Sequence, residues 1–364
     1  METTRRHGIR QGGWRAGLVL FFLSALLCVV TAELTARLFW RIWYGVSLLK
    51  PGEILYAYYP ELRTVGDLPG ALRAAAERPP AHTDEFYDIL FLGGSVLHRD
   101  WSSVELELRE QLAHGGRRNV RIFNLAMPAH TSRDSLLKYA ALDKARFDLV
   151  IFYHAINETR ANNIPPDIFQ QNYGHYSWYE WVNALAPYHG TAVLALPYTL
   201  RYLVLSARQV VMKERYLSTY RVPEHWVHHG REFKSAASFQ QNLRAVLDLA
   251  AERGDRTLIM TFATYVPENY SFEAFKQKRL DYGLHRAPIE WWGPREQVLA
   301  AVDAHNEIVR RTAAQRPNVV FVDQASLMQG SPRYFNDPCH FTVLGSTRFV
   351  ENILKVLDSS EQIQ

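Results

Sequence analysis

Only two cysteines occur among the 364 residues, Cys28 in an apolar run and Cys339 near the C-terminus. A pair so placed builds no disulfide framework, and a domain of this size needs none to bury an adequate core. Charge is also scarce. Charged residues make up 21% of the chain and the formal net charge is +4, with Arg5, Arg6, Arg10 and Arg15 all close to the N-terminus. No basic stripe follows, which argues against a nucleic-acid partner. No cluster of histidine, cysteine and carboxylate stands at metal-ligand spacing, so neither metal nor another cofactor is expected. Internal repeats and low-complexity tracts are missing too. What remains is 48% hydrophobic, the composition of a folded chain.

The first feature present is an uncharged run, Ala16 to Ala32, followed by Glu33 and then by Leu38, Phe39, Trp40, Ile42, Trp43 and Tyr44. The run is at the short end for a spanning helix, and the aromatics after it suit a membrane–water interface. Basic residues ahead of the run favour a cytoplasmic N-terminus. Residues 1–45 are therefore expected to be a cytoplasmic N-terminus and single-pass anchor in the cytoplasmic (inner) membrane, with the rest of the chain on the extracytoplasmic side. Val30-Thr31-Ala32 also resembles a signal-peptide cleavage site, and a buried core helix is a third reading. The amphipathic continuation ELTARLFWRIWYG favours retention.

Residues 46–87 read as a linker and entry segment, rich in proline and alanine where they lack a clear period. A domain over 88–358 follows. Short apolar runs at Ile89–Leu92, Val120–Phe123, Leu149–Tyr153, Thr257–Phe262 and Val319–Val322 predict strands. Helical patterns at 102–113, 132–145, 235–253, 296–314 and 345–357 alternate with them. That alternation predicts an α/β fold with a parallel sheet. The third and fourth runs stand about a hundred residues apart, far beyond an ordinary crossover. The segment at about 160–255 is expected to be a mostly helical insertion or lid, rich in aromatics such as Tyr173, Tyr176, Trp178, Tyr179, Trp181, Tyr188, Tyr202 and Tyr220.

Ligands of open α/β sheets bind beyond the carboxyl ends of the strands. After the first run stands Gly93-Gly94-Ser95, a turn that exposes a hydroxyl at a helix start or, equally, a plain turn with a capping serine. After the second comes Asn124 to Ser132, including Ala126, Ala129 and His130. After the third comes His154-Ala155-Ile156-Asn157-Glu158. Near the C-terminus stands Asn336-Asp337-Pro338-Cys339-His340, where a carboxylate three residues before an imidazole can orient it. Metal ligation is the weaker use of that pair, and a metal-dependent phosphoesterase would need more ligands than these loops offer. His98, His130 and His154 are candidate substrate contacts at the mouth. Cys339 reads as a small buried filler. Trp291-Trp292 suits a core or a stacking surface, and Asn269-Tyr270-Ser271 fits a glycosylation triplet.

Taken in order, these blocks resemble those of the SGNH/GDSL hydrolases, in the branch with Gly-Gly-Ser and Asn-Glu. The likeness covers about 88–160 and 255–357. It implies a three-layer α/β/α, flavodoxin-like fold and ester chemistry. It further implies that Ser95 is the nucleophile, His340 the base and then acid, and Asp337 its orienting partner. The oxyanion hole would be formed by Ser95, Ala129 and Asn157. The family's second-block glycines are here Ala126 and Ala129, and Ala129 would be strained if its φ must be positive. The expected function is a membrane-anchored serine esterase, acting on or transferring O-acetyl groups of an envelope polysaccharide. A lipase or lysophospholipase, or an idle scaffold or glycan-binding protein of the same fold, are the alternatives. The expected partners are an acyl ester and the membrane.

Overall fold

The computed structural model describes residues 10–54, 86–116, 119–142, 145–185, 193–217 and 223–361. The helices are α1 (Arg10–Tyr44), α2 (Val104–His114), α3 (Ser132–Ala141), α4 (Ser177–Leu185), α5 (Leu196–Val211), α6 (Ser235–Arg253), α7 (Phe272–Lys276), α8 (Arg295–Gln315), α9 (Gln324–Leu327) and α10 (Val343–Glu361). The strands are β1 (Tyr87–Gly93), β2 (Val120–Asn124), β3 (Leu149–Tyr153), β4 (Thr257–Met260) and β5 (Val319–Val322). Two compact units result, one of residues 1–64 and 181–213, the other of residues 65–180 and 214–364.

In the larger unit the five strands pair in the order β2-β1-β3-β4-β5, every pairing parallel. This is the flavodoxin-like order, whose topological switch lies between β1 and β3. β3 and β4 are buried along their whole length, as is β1 from Asp88 onward, whereas β2 and β5 are partly exposed edges. Alternation along each strand sends Ile89, Phe91, Ile151, Tyr153, Leu258 and Met260 into one core. There they meet Val104 and Leu108 of α2 and Phe349 and Ile353 of α10. Each such side chain, taken out of water, contributes about 1.5–3 kcal/mol. Residues of the opposite parity face α3 and α6, where Phe152 lies 6.2 Å from Phe239. The sheet is thus covered on both faces, in three layers.

Local signals fix the helix ends. Thr131 and Asp134 form a reciprocal capping box at the start of α3. Gly254, at φ 75°, closes α6 in the left-handed conformation a glycine adopts without a Cβ penalty. The sequence patterns for β3, β5 and α6 coincide with the observed elements, and the other elements shift by a few residues at their ends. α6 is the regular crossover into β4, so the added segment is shorter than 160–255 and ends before Ser235.

Four aromatics of that segment within the larger unit point inward. Tyr173, Tyr176, Trp178 and Tyr179 are all buried, and Tyr173, Tyr176 and Tyr179 pack ring on ring. A platform of exposed rings does not arise from these four, which are buried, and two of them serve buried carboxyl groups. Tyr173 donates to Glu158, and Tyr179 to Asp134. Tyr188 and Tyr220 lie outside the described residues, as does most of the linker over 46–87.

In the smaller unit α1 is one continuous helix of 35 residues. Within Trp14–Tyr44 the most apolar 18-residue window has a mean hydropathy of 2.3, and none of that window is buried. It is the one helix among the described residues that is long and apolar enough to cross a membrane. Cys28 is exposed on it, Cys339 is buried in the other unit, and both are free thiols.

Candidate active site

Three strand-end loops meet at the switch point. β1 runs into Gly93-Gly94 and then a single 3-10 turn over Ser95–Leu97. The loop between α9 and α10 carries Asp337 and His340, and the loop after β3 carries Asn157. Ser95 Oγ lies 2.7 Å from His340 Nε2. His340 Nδ1 lies 2.8 Å from both carboxylate oxygens of Asp337. A carboxylate can only accept, so Nδ1 carries the proton, and Nε2 is left to accept the Ser95 hydroxyl proton. Asp337 also receives the backbone N–H groups of Cys339 at 3.1 Å and His340 at 3.0 Å. Its orientation is therefore set within its own turn. Asp337 and His340 are almost wholly buried and Ser95 is 7% exposed, so the chain of hydrogen bonds is shielded from water. Burial and the nearby Asp337 carboxylate push the Cys339 thiol far up, in keeping with a small filler between the two.

The Asn157 amide is oriented by a neighbour. Trp292 Nε1, which can only donate, bonds Asn157 Oδ1 at 2.9 Å. Asn157 Nδ2 must then face the other way, where one of its protons goes to the carbonyl of His130 at 2.9 Å. Gly94 is needed for this approach, because a Cβ there would stand 2.8 Å from Asn157 Nδ2. Asn124 ties the loops together further. Its Nδ2 donates to the carbonyl of Leu97 at 2.8 Å and to Glu105 at 2.9 Å, and its Oδ1 accepts the N–H of Ala126 at 3.0 Å.

Ala129 sits at φ 67°, in the left-handed region that penalises a Cβ. The strain anticipated from the Gly-to-Ala replacement is thus present. Ala129→Gly is expected to raise stability by about 1 kcal/mol. A higher urea midpoint at unchanged slope is the readout, and an unmoved or lower midpoint contradicts it.

No family model matches the sequence, and no curated protein matches it. Solved structures do. One is a GDSL-like lipase from Bacteroides thetaiotaomicron, 11% identical over 80% of this chain and 97% of its own, with a TM-score of 0.45. A lipase/acylhydrolase from Enterococcus faecalis is 15% identical over 76% and 97%, with a TM-score of 0.37. An acetyl xylan esterase is 13% identical over 74% and 98%, with a TM-score of 0.38.

The three histidines expected at the mouth divide. His98 is partly open, its side chain 12% exposed, and its Nδ1 accepts the N–H of Asp100 at 3.2 Å. His130 and His154 are buried, at 0% and 2% exposure, and each is held by a neighbouring polar side chain. Lys138, itself buried, donates to the carbonyl of Leu125 and to His130 Nδ1, both at 2.6 Å. His154 Nε2 shares a 2.7 Å hydrogen bond with Ser135 Oγ. Burial, reinforced by the Lys138 ammonium, holds His130 well below its usual range and pushes His154 down to about 3. Glu158 takes the N–H of Ser132 and the Tyr173 hydroxyl, so it braces the Asn157 turn from behind.

Sequence reasoning missed Trp101 and, for Trp292, foresaw a core position but not its hydrogen bond. Trp101 lies tilted over the His340 ring, centroids 4.4 Å apart. The hold of Trp292 on Asn157 has no sequence signature. Beside Trp101 opens a cavity of about 380 Å³ whose lining includes Arg99, Asp100, Glu105, Arg109 and Arg286. The larger cleft, about 1050 Å³, lies at the amino ends of β4 and β5, where Arg256 and Val319 line it, away from Ser95.

Proposed function

We propose that the chain is a serine ester hydrolase of the SGNH/GDSL type, held by α1 in the cytoplasmic membrane with its α/β unit on the extracytoplasmic side. The observation that carries the reading is the hydrogen-bonded chain from Ser95 Oγ through His340 to Asp337. Ser95 Oγ attacks the ester carbonyl carbon as His340 Nε2 takes its proton. The resulting oxyanion accepts the remaining N–H of Asn157 and the backbone N–H groups of Ser95 and Ala129. Collapse breaks the ester C–O bond, and His340 returns the proton to the leaving alkoxide. Water, deprotonated by the same imidazole, then releases the acid and restores Ser95.

The charged lining of the cavity beside Trp101, whose ring packs on His340, favours a short acyl group on a polar carrier over a long alkyl chain. An O-acetylated envelope polysaccharide fits that description, as hydrolysis substrate or as acetyl acceptor. The idle-scaffold alternative draws on one feature, the strained Ala129.

A fluorophosphonate probe decides between enzyme and scaffold. The protein is expected to be labelled on Ser95 and to cleave acetyl esters faster than long-chain esters. A chain that stays unlabelled while folded is no serine hydrolase. Separately, Asn157→Ala is expected to lower kcat by about 10²–10³-fold with little change in KM. An unchanged kcat would remove Asn157 from the oxyanion hole.

A further inference from the structure

The smaller unit is built inside out. Where α1 emerges from its apolar run, its polar groups turn inward onto α5. Glu33 accepts the N–H groups of Ala195 at 2.9 Å and Leu196 at 2.8 Å, so it caps the start of α5. Arg37 pairs with Glu33 at 2.6 Å and donates to the carbonyls of Val193 at 2.7 Å and of Leu48. Trp40 Nε1 donates to Thr199 Oγ1 at 2.9 Å, and the hydroxyls of Tyr44 and Tyr202 lie 3.3 Å apart.

The outer surface of the same pair is apolar. On α1, Leu38 is 50% exposed, and Ile42 and Trp43 are each 71% exposed. On α5, Leu200, Leu203, Val204, Val210 and Val211 follow helical spacing along one side, and Val211 is 84% exposed. Arg201 and Arg208 stand two turns apart on one flank of that stripe, and residues 196–211 contain no aspartate or glutamate. A water-facing helix pair would have the opposite arrangement. Satisfied polar groups inside and bare aliphatic side chains outside are what hydrocarbon demands.

We propose that α5 is an interfacial helix, lying among the lipids of the leaflet from which α1 emerges. Its 16 residues span about 24 Å, too short to cross a hydrocarbon core of about 30 Å. It lies at the boundary with its aliphatic stripe toward the acyl chains, and Arg201 and Arg208 meet lipid phosphates. The membrane module is then two helices, one crossing and one resting. The proposal rests on α1 being a membrane span.

The test uses the full chain in nanodiscs of phosphatidylethanolamine and phosphatidylglycerol, in a Cys28→Ser background with the buried Cys339 left in place. An environment-sensitive fluorophore is attached at Val204→Cys or, in a separate protein, at Leu23→Cys. Lipids spin-labelled near the headgroup, lipids spin-labelled deep in the chain, and aqueous iodide serve as quenchers. The expected result is that shallow lipid labels quench the Val204 site several-fold more than iodide, while deep labels quench the Leu23 site. Quenching at Val204 by iodide, with Leu23 still in lipid, overturns the proposal and leaves the span standing. Iodide quenching at both sites overturns both. A Val204 label shielded from lipid and iodide alike, with energy transfer between copies, assigns the stripe to a second copy of the chain and also overturns the proposal.

Discussion

Ser95→Ala is expected to fold as the parent does and to lose about 10⁴–10⁶-fold in kcat on a short-chain aryl ester, together with all fluorophosphonate labelling. The size follows from the geometry. Removing the hydroxyl leaves His340 with no proton to take at 2.7 Å, and only the donors around the carbonyl remain to stabilise charge. His340→Ala should cost a similar factor. The double variant should be no worse than either single one, because the two groups act in a single proton transfer. Asp337→Asn should retain the fold and lose about 10⁴-fold, since an amide can present its N–H to Nδ1 and reverse the tautomer. Full activity in Ser95→Ala would place the chemistry elsewhere in the molecule.

The second large effect is on stability in acid. Four histidines of the larger unit are buried in neutral form. Burial pushes His154, His175 and His305 down to about 3, and holds His130 well below its ordinary value. In the unfolded chain each takes a proton near pH 6.5, whereas the folded His154, His175 and His305 wait until about 3 and His130 is held down by the same burial. Their contribution is complete above pH 6.5 and falls as the pH drops, by roughly 1 kcal/mol per pH unit for each. Carboxyls raised by burial oppose them, Asp255 and Asp303 by direction and Glu158 and Asp134 most strongly. Burial raises Glu158 to about 7 and Asp134 to about 6, so the folded chain protonates these first and gains stability as pH falls through those values toward 4. The histidine losses outweigh the carboxyl gains and leave a net loss on the order of 1–2 kcal/mol per pH unit between about 6 and 4. Over those two units the loss is a substantial fraction of a total of about 5–15 kcal/mol. Urea midpoints at pH 7.5, 6 and 5 are expected to fall steadily, and His305→Gln should flatten the slope. Equal midpoints at pH 7.5 and 5 would refute the account.

The sheet was legible because its strands are short, continuous apolar runs, the pattern of strands covered on both faces. The runs that became β3 and β5 needed no adjustment, and the Gly-Gly-Ser and Asp-Pro-Cys-His turns stood out by their place after predicted strands. Other features depend on tertiary partners. Nothing near Trp292 in sequence says that its indole holds Asn157, which is 135 residues away. His130 and His154 looked accessible because they flank strand ends, yet a lysine two turns into α3 draws the first into the interior. By composition the aromatic segment reads as a mostly helical insertion or lid. Two of its hydroxyls satisfy Glu158 and Asp134, carboxylates whose burial no local pattern betrays.

Asp337 and His340 belong to one four-residue turn, whereas Ser95 belongs to another loop. Thermal breathing between the loops therefore alters a single gap, while the imidazole travels with its carboxylate as one rigid jaw. Readiness for attack reduces to one coordinate, the hydroxyl-to-imidazole separation. Pressure, temperature or a remote substitution would tune the reaction through that coordinate without disturbing the tautomer.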